Sequence, residues 1–163
     1  EGRLNLHITE DLVDDVITEA LHHVNRKSVE HHITVRQKED YLLAKMDAKL
    51  MVQVIINIVD NAIKYTPKGS NILIKTWKQG DKAVISIADD GDGIPDEMKA
   101  RVFDMFYSGA NKIADSRRSL GLGLSLCRSI VNAHGGKITV SDNTPHGTVF
   151  TITLSAREVE IHE

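Results

Sequence analysis

The chain has 163 residues, which suits one domain with a core large enough to fold alone. Its net charge of −3 gives no electrostatic basis for binding nucleic acid or an anionic membrane. Cys127 is the only cysteine, so an internal disulfide is excluded, and no apolar run approaches the roughly 20 residues that cross a bilayer. The N-terminus has neither a signal peptide nor an initiator Met, which indicates a piece of a longer protein.

The first predicted elements are short strands around one helix. Apolar alternation predicts a strand over residues 4–8, and apolar residues at helical spacing predict a helix over residues 13–24. Ile33 with Val35, and then residues 42–46, are typical of short strands.

The middle of the chain predicts a long helix followed by a hairpin. Asp47 is placed to cap a helix that ends near Tyr65, just before a proline and a glycine. Residues 72–77 and 83–88 are strand-like, and Gln79-Gly80-Asp81-Lys82 between them is a hairpin turn.

The last predicted elements are one helix and a closing hairpin. The helix runs from about Leu122 to Ala133 and stops at a Gly-Gly pair, and strands follow at 138–141 and 148–154. Residues 156–163 form a charged tail that we expect to fray. Since helices and hairpins interleave and few strands could be parallel, the predicted class is α+β.

Polar residues recur one turn apart on the long helix. Asn57, Asn61 and Lys64 share a face that differs from the apolar one. An Asn carbonyl oxygen suits Mg²⁺, which keeps water and phosphate oxygens as its other ligands, and a lysine suits phosphate charge. A solvated polar stripe is the alternative, although Asn is a poor choice for an exposed helix face.

A run of aspartates and glycines, Asp89-Asp90-Gly91-Asp92-Gly93-Ile94, follows the second strand of the hairpin. A carboxylate at a strand end can accept a hydrogen bond from an exocyclic amine such as adenine N6, whereas guanine presents a carbonyl there. A calcium loop of the EF-hand kind is excluded, because its first and last ligand positions would be Ala88 and Lys99. A plain acidic turn stays open as an alternative.

Two glycines, Gly121 and Gly123, precede the second long helix, whose free N–H groups and dipole would favour an anion. The preceding residues from Phe103 have little apolar periodicity after Phe106. A segment of this length is either a tolerated surface insertion or a functional lid, and its position before a Gly-rich helix start favours the lid.

Together these stretches resemble the ATP-binding Bergerat fold of sensor histidine kinases, gyrase-type topoisomerases, Hsp90 and MutL. Residues 57–67 resemble the N box of a histidine kinase, 89–95 its G1 box, 103–106 its F box and 121–124 its G2 box. Gly147-Thr148 resembles the glycine and threonine of the closing hairpin. The run from Phe103 to Gly136 is also similar to the potassium-sensing KdpD kinases, and Ser119 stands where the family often has glycine.

The resemblance implies a two-layer α+β sandwich with a mixed, mostly antiparallel sheet covered on one face by helices. It implies a catalytic domain over residues 1–155, with an ATP lid at about 103–120 and a tail at 156–163. It also implies ATP and Mg²⁺ as ligands. Asn61 would bind Mg²⁺, Tyr65 would pack near the adenine and ribose, and Asp89 would read adenine N6.

The remaining implied contacts surround the nucleotide. Asn57 and Lys64 would lie near the phosphates and act with Asn61 in catalysis, and either Arg117 or Arg118 is a candidate for the γ-phosphate. The full nucleotide-binding set implied by the resemblance is Asn57, Asn61, Lys64, Tyr65, Asp89, Gly91, Gly93, Ile94, Phe106, Gly121, Leu122, Gly123, Leu124 and Thr148.

Asn57 separates kinases from hydrolases within this fold. Hydrolytic relatives place a glutamate general base one turn before the metal-binding Asn, and an amide cannot take a proton at neutral pH. This favours transfer of the γ-phosphoryl to a histidine, which we expect on a dimerising helical hairpin outside this chain. An Hsp90- or MutL-like ATPase and an anti-sigma-factor serine kinase are the alternatives.

The expected partners are that hairpin and a response regulator, with no nucleic acid. The fragment is expected to be a monomer or weak dimer. It is also expected to be a cytoplasmic domain that reaches the membrane only through its parent sensor.

Overall fold

The computed structural model describes residues 5–24, 30–104 and 120–156, with the backbone alone for 120–122. The elements in chain order are β1 (Thr9–Leu12), α1 (Val13–His22), β2 (His32–Gln37), β3 (Leu43–Met46), α2 (Ala48–Lys64), β4 (Asn71–Gln79), β5 (Lys82–Asp89), α3 (Asp96–Lys99), α4 (Leu120–Ala133), β6 (Lys137–Asp142) and β7 (Thr148–Ser155).

Two sheets form among these residues. The larger has the strand order β2-β4-β5-β7-β6, in which only β2 and β4 are parallel. The smaller pairs β1 with β3 in antiparallel fashion. The predicted α+β class with a mixed, mostly antiparallel sheet is therefore confirmed.

The helices cover one face of the larger sheet. Every second residue of β5, Ala83, Ile85 and Ile87, points into the same core as the buried faces of α1, α2 and α4. Ile85 lies opposite Ile152 of β7, and Ile87 lies opposite Phe150, so the buried rows of neighbouring strands align. This alternation places Asp89, the next residue in the row, on the helix-covered side where β5 ends.

The predicted long helix and hairpin are confirmed. Asp47 caps α2, and its carboxylate accepts a hydrogen bond from the Leu50 N–H at 3.3 Å. All of β5 pairs with β4, from Ile72 to Gln79, and the turn between the strands places Gly80 at a φ of +63°.

The first strand was predicted too early. Residues 5–8 are not in a strand, and β1 begins at Thr9 because its backbone pairs with β3 up to the start of α1. There the Val13 N–H donates to the Leu42 carbonyl at 2.9 Å. Backbone pairing, rather than the alternation over residues 4–8, sets this strand.

Three further boundaries differ from the prediction. Helix α4 starts at Leu120, so Gly121 and Gly123 lie inside its first turn instead of before it. The short helix α3 was not predicted. Ala156, expected to begin the frayed tail, is buried and forms an antiparallel bridge with Ala44. Among the described helices, none combines the length and the apolar character needed to span a membrane.

Candidate functional site

A cleft of about 660 Å³, its open mouth included, lies between the end of α2, the loop after β5 and the start of α4. Its lining combines a few polar side chains with a larger apolar wall. The lining residues are Asn61, Tyr65, Asp89, Asp92, Gly93, Ile94, Pro95, Met98, Val102, Leu124, Thr148 and Phe150. A mostly apolar cleft with a few convergent polar groups is typical of a small-molecule site.

Asp89 is a fixed hydrogen-bond acceptor in this cleft. Its Oδ1 accepts from the Gly91 N–H at 3.0 Å and from the Thr148 N–H at 3.2 Å. Burial raises the pKa of Asp89 above its ordinary value, although these two backbone N–H groups oppose the shift. Both of these hydrogen bonds are to Oδ1, and among the described residues none is found to the other carboxylate oxygen, Oδ2.

The loop between β6 and β7 holds the backbone around Asp89. The Asn143 side-chain Nδ2 donates to the Asp89 carbonyl at 2.8 Å, and the His146 Nδ1–H donates to the Gly91 carbonyl at 3.0 Å. Gly147 has a φ of +117°, and a Cβ at this position would lie 1.9 Å from the Asp89 carbonyl oxygen. Only glycine therefore permits this close approach.

Sequence reasoning missed Asn143 and His146. Both reach Asp89 or Gly91 from more than 50 residues away along the chain. The only sequence signal for this loop was the Gly147-Thr148 pair, which gives no indication of which neighbouring side chains donate.

The three aspartates of the G1-like run have separate positions. Asp89 and Asp92 border the cleft, whereas Asp90 accepts from the backbone and side-chain nitrogens of Asn71, both at 2.9 Å. Burial opposes ionisation of Asp90, yet the Asn71 hydrogen bonds hold its pKa below the ordinary value. Asp90 therefore ties the loop to β4 and is not a ligand candidate.

The polar residues of α2 do not all reach the cleft. Asn61 and Tyr65 border it, one turn apart, and Tyr65 is 41% exposed. Asn57 is half-buried against α4, where a Cβ on Gly123 would lie 3.9 Å from its Cγ. Lys64 is exposed and is not among the cleft-lining residues.

Asn57 also contacts the buried thiol of Cys127. Burial raises the pKa of Cys127 to about 12, and a hydrogen bond with the Asn57 side chain opposes the shift. The thiol stays protonated at neutral pH and is not a nucleophile. Asn57 thus lies where α2 packs against the first turns of α4, next to the cleft-lining part of α2.

The remaining predicted residues divide between the cleft, α4 and the part of the chain outside the description. Ile94, Gly93, Leu124 and Thr148 border the cleft, whereas Gly91 is not among the lining residues, and a Cβ added to it would meet Thr66 at 2.7 Å. Gly121 and Leu122 lie in the first turn of α4, and Gly123 lies beside Asn57. Phe106 lies outside the described residues, as does most of the predicted lid, residues 105–119.

The start of the predicted lid is anchored in the core. The Phe103 ring packs edge-on against Phe150, with ring centroids 5.9 Å apart, and the Arg128 guanidinium lies over the Phe103 ring. Both Phe150 and Val102 line the cleft. Phe103, the first residue of the predicted lid, is therefore held in place by its contacts with Phe150 and Arg128.

The donor set fits Mg²⁺ accompanied by phosphate. The Asn61 amide offers one neutral oxygen ligand at the cleft, and Mg²⁺ in proteins usually completes its octahedron with water and phosphate oxygens. The first N–H groups of α4, a helix whose Leu124 lines the cleft, have no partner within the helix and favour an anion.

Comparison with protein families gives a match over most of the chain. The model described as "Histidine kinase-, DNA gyrase B-, and HSP90-like ATPase" matches residues 46–158. The sensor protein KdpD of Clostridium acetobutylicum is 40% identical over 154 residues, which are 94% of this chain. This chain spans only 17% of the length of that relative.

Solved structures of a histidine kinase are also similar to this chain over most of its length. The nucleotide-free catalytic domain of the histidine kinase ThkA superposes with a TM-score of 0.82 at 29% identity, covering 92% of this chain and 96% of that domain. ThkA in complex with the response regulator protein TrrA superposes with a TM-score of 0.77 at 28% identity, covering 92% of this chain and 42% of that one.

Proposed function

The chain belongs to the family of histidine kinase-, DNA gyrase B- and HSP90-like ATPases and is the ATP-binding catalytic domain of a histidine kinase, and from this premise we propose how its cleft binds Mg·ATP and transfers the γ-phosphoryl. The sensor protein KdpD of Clostridium acetobutylicum is one relative to which it is similar over almost its full length. In the proposal, the base lies in the apolar part of the cleft and the phosphates lie toward α4.

The Asp89 carboxylate is the single observation that carries base recognition. Its Oδ1 is held by two backbone N–H groups, which leaves Oδ2 to accept from the exocyclic amine of adenine. Guanine presents a carbonyl oxygen at that position and would place two acceptors against each other. Ile94, Met98 and Val102 supply the apolar wall against the ring.

The phosphate end is assigned to α2 and α4. Asn61 would hold Mg²⁺ through its amide oxygen, and Asn57 and Lys64, one turn to either side, would lie near the phosphates. Bound Mg²⁺ would neutralise charge on the phosphate oxygens. Tyr65 would pack beside the adenine and ribose, and the backbone of Gly121, Leu122 and Gly123 would offer N–H groups to phosphate. Phe106 and the lid, at residues 103–120, would cover this end.

Phosphotransfer, rather than hydrolysis, follows from Asn57. This side chain is an amide that packs against Gly123 and Cys127, and it has no basic group to activate water. Positioning and charge neutralisation then dominate catalysis, as is general for phosphoryl transfer. The acceptor is a histidine ring nitrogen on a dimerisation hairpin.

The parent protein supplies the other parts of the reaction. We propose that it contains the hairpin, is a membrane sensor with this domain on its cytoplasmic side, and passes the phosphoryl group to a response regulator. ThkA was solved in complex with a response regulator, which supports that class of partner.

The experiment is a nucleotide-binding measurement on the 163-residue chain and its Asp89→Asn variant. We expect Mg·ATP to raise the melting temperature of the wild type, Mg·GTP to raise it much less, and neither to affect the variant. Calorimetric titration with the same nucleotides gives the affinities. Equal responses of the wild type to ATP and GTP, or an unchanged ATP response in the variant, would refute the assignment of Asp89.

A further inference from the structure

Lys99 makes three contacts that converge beside the cleft. Its ammonium donates to the Ile94 carbonyl at 2.9 Å, to Asp96 Oδ1 at 2.5 Å, and to Asp142 Oδ1 at 2.9 Å. An ammonium has three N–H donors, so all of them are used. The Lys99 side chain is only 17% exposed, whereas Lys68, in an ordinary surface ion pair, is 78% exposed.

The three acceptors belong to separate parts of the fold. Ile94 is in the loop after β5, Asp96 begins α3, and Asp142 ends β6. Asp142 lies directly opposite Thr148 in the β6–β7 pairing, and the Thr148 N–H is one of the two donors that hold Asp89. Lys99 therefore connects the cleft wall to the strand pair that fixes the Asp89 carboxylate.

The segment that Lys99 connects, residues 93–102, contributes much of the cleft lining. Within it, Gly93, Ile94, Pro95, Met98 and Val102 all line the cavity. Helix α3 has only four residues and contributes no fully buried side chain, so its own packing does little to hold this wall. A charge-assisted hydrogen bond to a backbone carbonyl is a stronger restraint than a neutral one.

We propose that Lys99 is a positioning residue that presets the base-binding wall of the nucleotide cleft. This inference rests on the proposed function and adds a residue to it. Lys99 touches no part of the nucleotide. It holds the Ile94 backbone and α3 in place relative to Asp142, so that the wall is already formed in the nucleotide-free protein. Binding the base then costs less conformational entropy.

The test measures nucleotide affinity for Lys99→Met, Lys99→Arg and Asp142→Asn, by calorimetric titration well below the melting temperature. We expect Lys99→Met to weaken ATP and ADP binding by the same factor, roughly three- to tenfold, as for loss of about one net hydrogen bond. Lys99→Arg keeps donors and charge and should recover most of the affinity. Lys82→Met, at the other end of β5 from Asp89, is the matched control and should bind normally.

A double-mutant cycle separates positioning from general stability. Because Asp142 is expected to act through its contact with Lys99, Lys99→Met with Asp142→Asn should weaken binding little more than Lys99→Met alone. Unchanged affinity in Lys99→Met, additive losses in the double variant, or no recovery with arginine would each overturn the proposal. If the wild type itself bound no ATP, the proposed function would fail instead, and the two failures are therefore distinct.

Discussion

The local surroundings of two aspartates, Asp89 and Asp47, favour opposite protonation states of their carboxyl groups. Burial raises the pKa of Asp89, whereas the pKa of Asp47 is lowered, chiefly by a hydrogen bond from the His7 N–H at 3.0 Å. Folding therefore favours the protonated form of Asp89 and the ionised form of Asp47. At neutral pH the first carboxylate costs stability, and the second contributes it.

For Asp89 we predict that Asp89→Asn is at least as stable as the wild type at pH 7 without nucleotide. Since its folded pKa is raised, the contribution of Asp89 to stability is fully present below the unfolded pKa and is lost as the pH rises through the folded pKa. An asparagine Oδ1 still accepts from Gly91 and Thr148, and it carries no charge. Thermal unfolding at pH 7 and pH 4 should show the difference between the proteins shrinking at the lower pH. A variant clearly less stable at pH 7 would contradict this.

For Asp47 we predict the opposite dependence on pH. Its carboxylate caps α2 and accepts from His7, so Asp47→Ala should lower the free energy of unfolding by about 1 kcal/mol at pH 7. With a lowered folded pKa, this stabilisation is present above the unfolded pKa and disappears as the pH falls through the folded pKa. Urea unfolding at pH 7 and pH 2.5 measures it, and a loss that stayed constant with pH would show that charge has no part in the cap.

At the scale of elements, the β6–β7 loop and the loop after β5 are mutually dependent. We predict that Gly147→Ala destabilises the fold by roughly 3 kcal/mol or more, because its Cβ would meet the Asp89 backbone at 1.9 Å. Gly80→Ala is the matched control. It has a φ of +63° with nothing within 4 Å of the added Cβ, so only backbone strain of about 1 kcal/mol applies. Equal effects of the two substitutions on chemical unfolding would argue against the close contact.

The elements that could be predicted from the sequence were those with a local signal. Helix α2 has a capping residue and a continuous apolar face, and the β4–β5 hairpin has a glycine turn, so both were predicted correctly. Strand β1 was misplaced because its limits depend on pairing with β3, more than 30 residues away. The four-residue helix α3 has no apolar periodicity to detect.

The same distinction applies to the candidate site. Asn61 and Asp89 have recognisable positions on a helix face and at a strand end, and the structure brings both to the cleft. Asn143, His146 and Lys99 act through hydrogen bonds to backbone carbonyls. Any residue type has such a carbonyl, so these contacts leave no recognisable pattern in the sequence. Only three-dimensional packing shows these supporting residues.

At the scale of the whole molecule, none of the described histidines is presented as a phosphoryl acceptor in the cleft. His31 is buried and bonds Thr66 through Nε2, and both ring nitrogens of His134 are engaged, by Ile130 and Asp47. His146 uses Nδ1 on Gly91. The described residues that line the cleft include no histidine. This agrees with the proposal that the acceptor histidine lies on a separate hairpin.

We therefore predict that the chain binds Mg·ATP without phosphorylating itself, and that it phosphorylates a separately produced helical hairpin of its parent protein. Radiolabelled ATP would give an acid-labile, alkali-stable phosphate on the hairpin and none on this chain, as expected for phosphohistidine. Asn61→Ala, which removes the proposed Mg²⁺ ligand, should abolish the transfer, because charge on the phosphate oxygens is then not neutralised. Steady release of inorganic phosphate by the chain alone, above the rate of that variant, would instead favour an ATPase of the Hsp90 or MutL kind. Such a result would mean that water reaches the γ-phosphate without a base at Asn57.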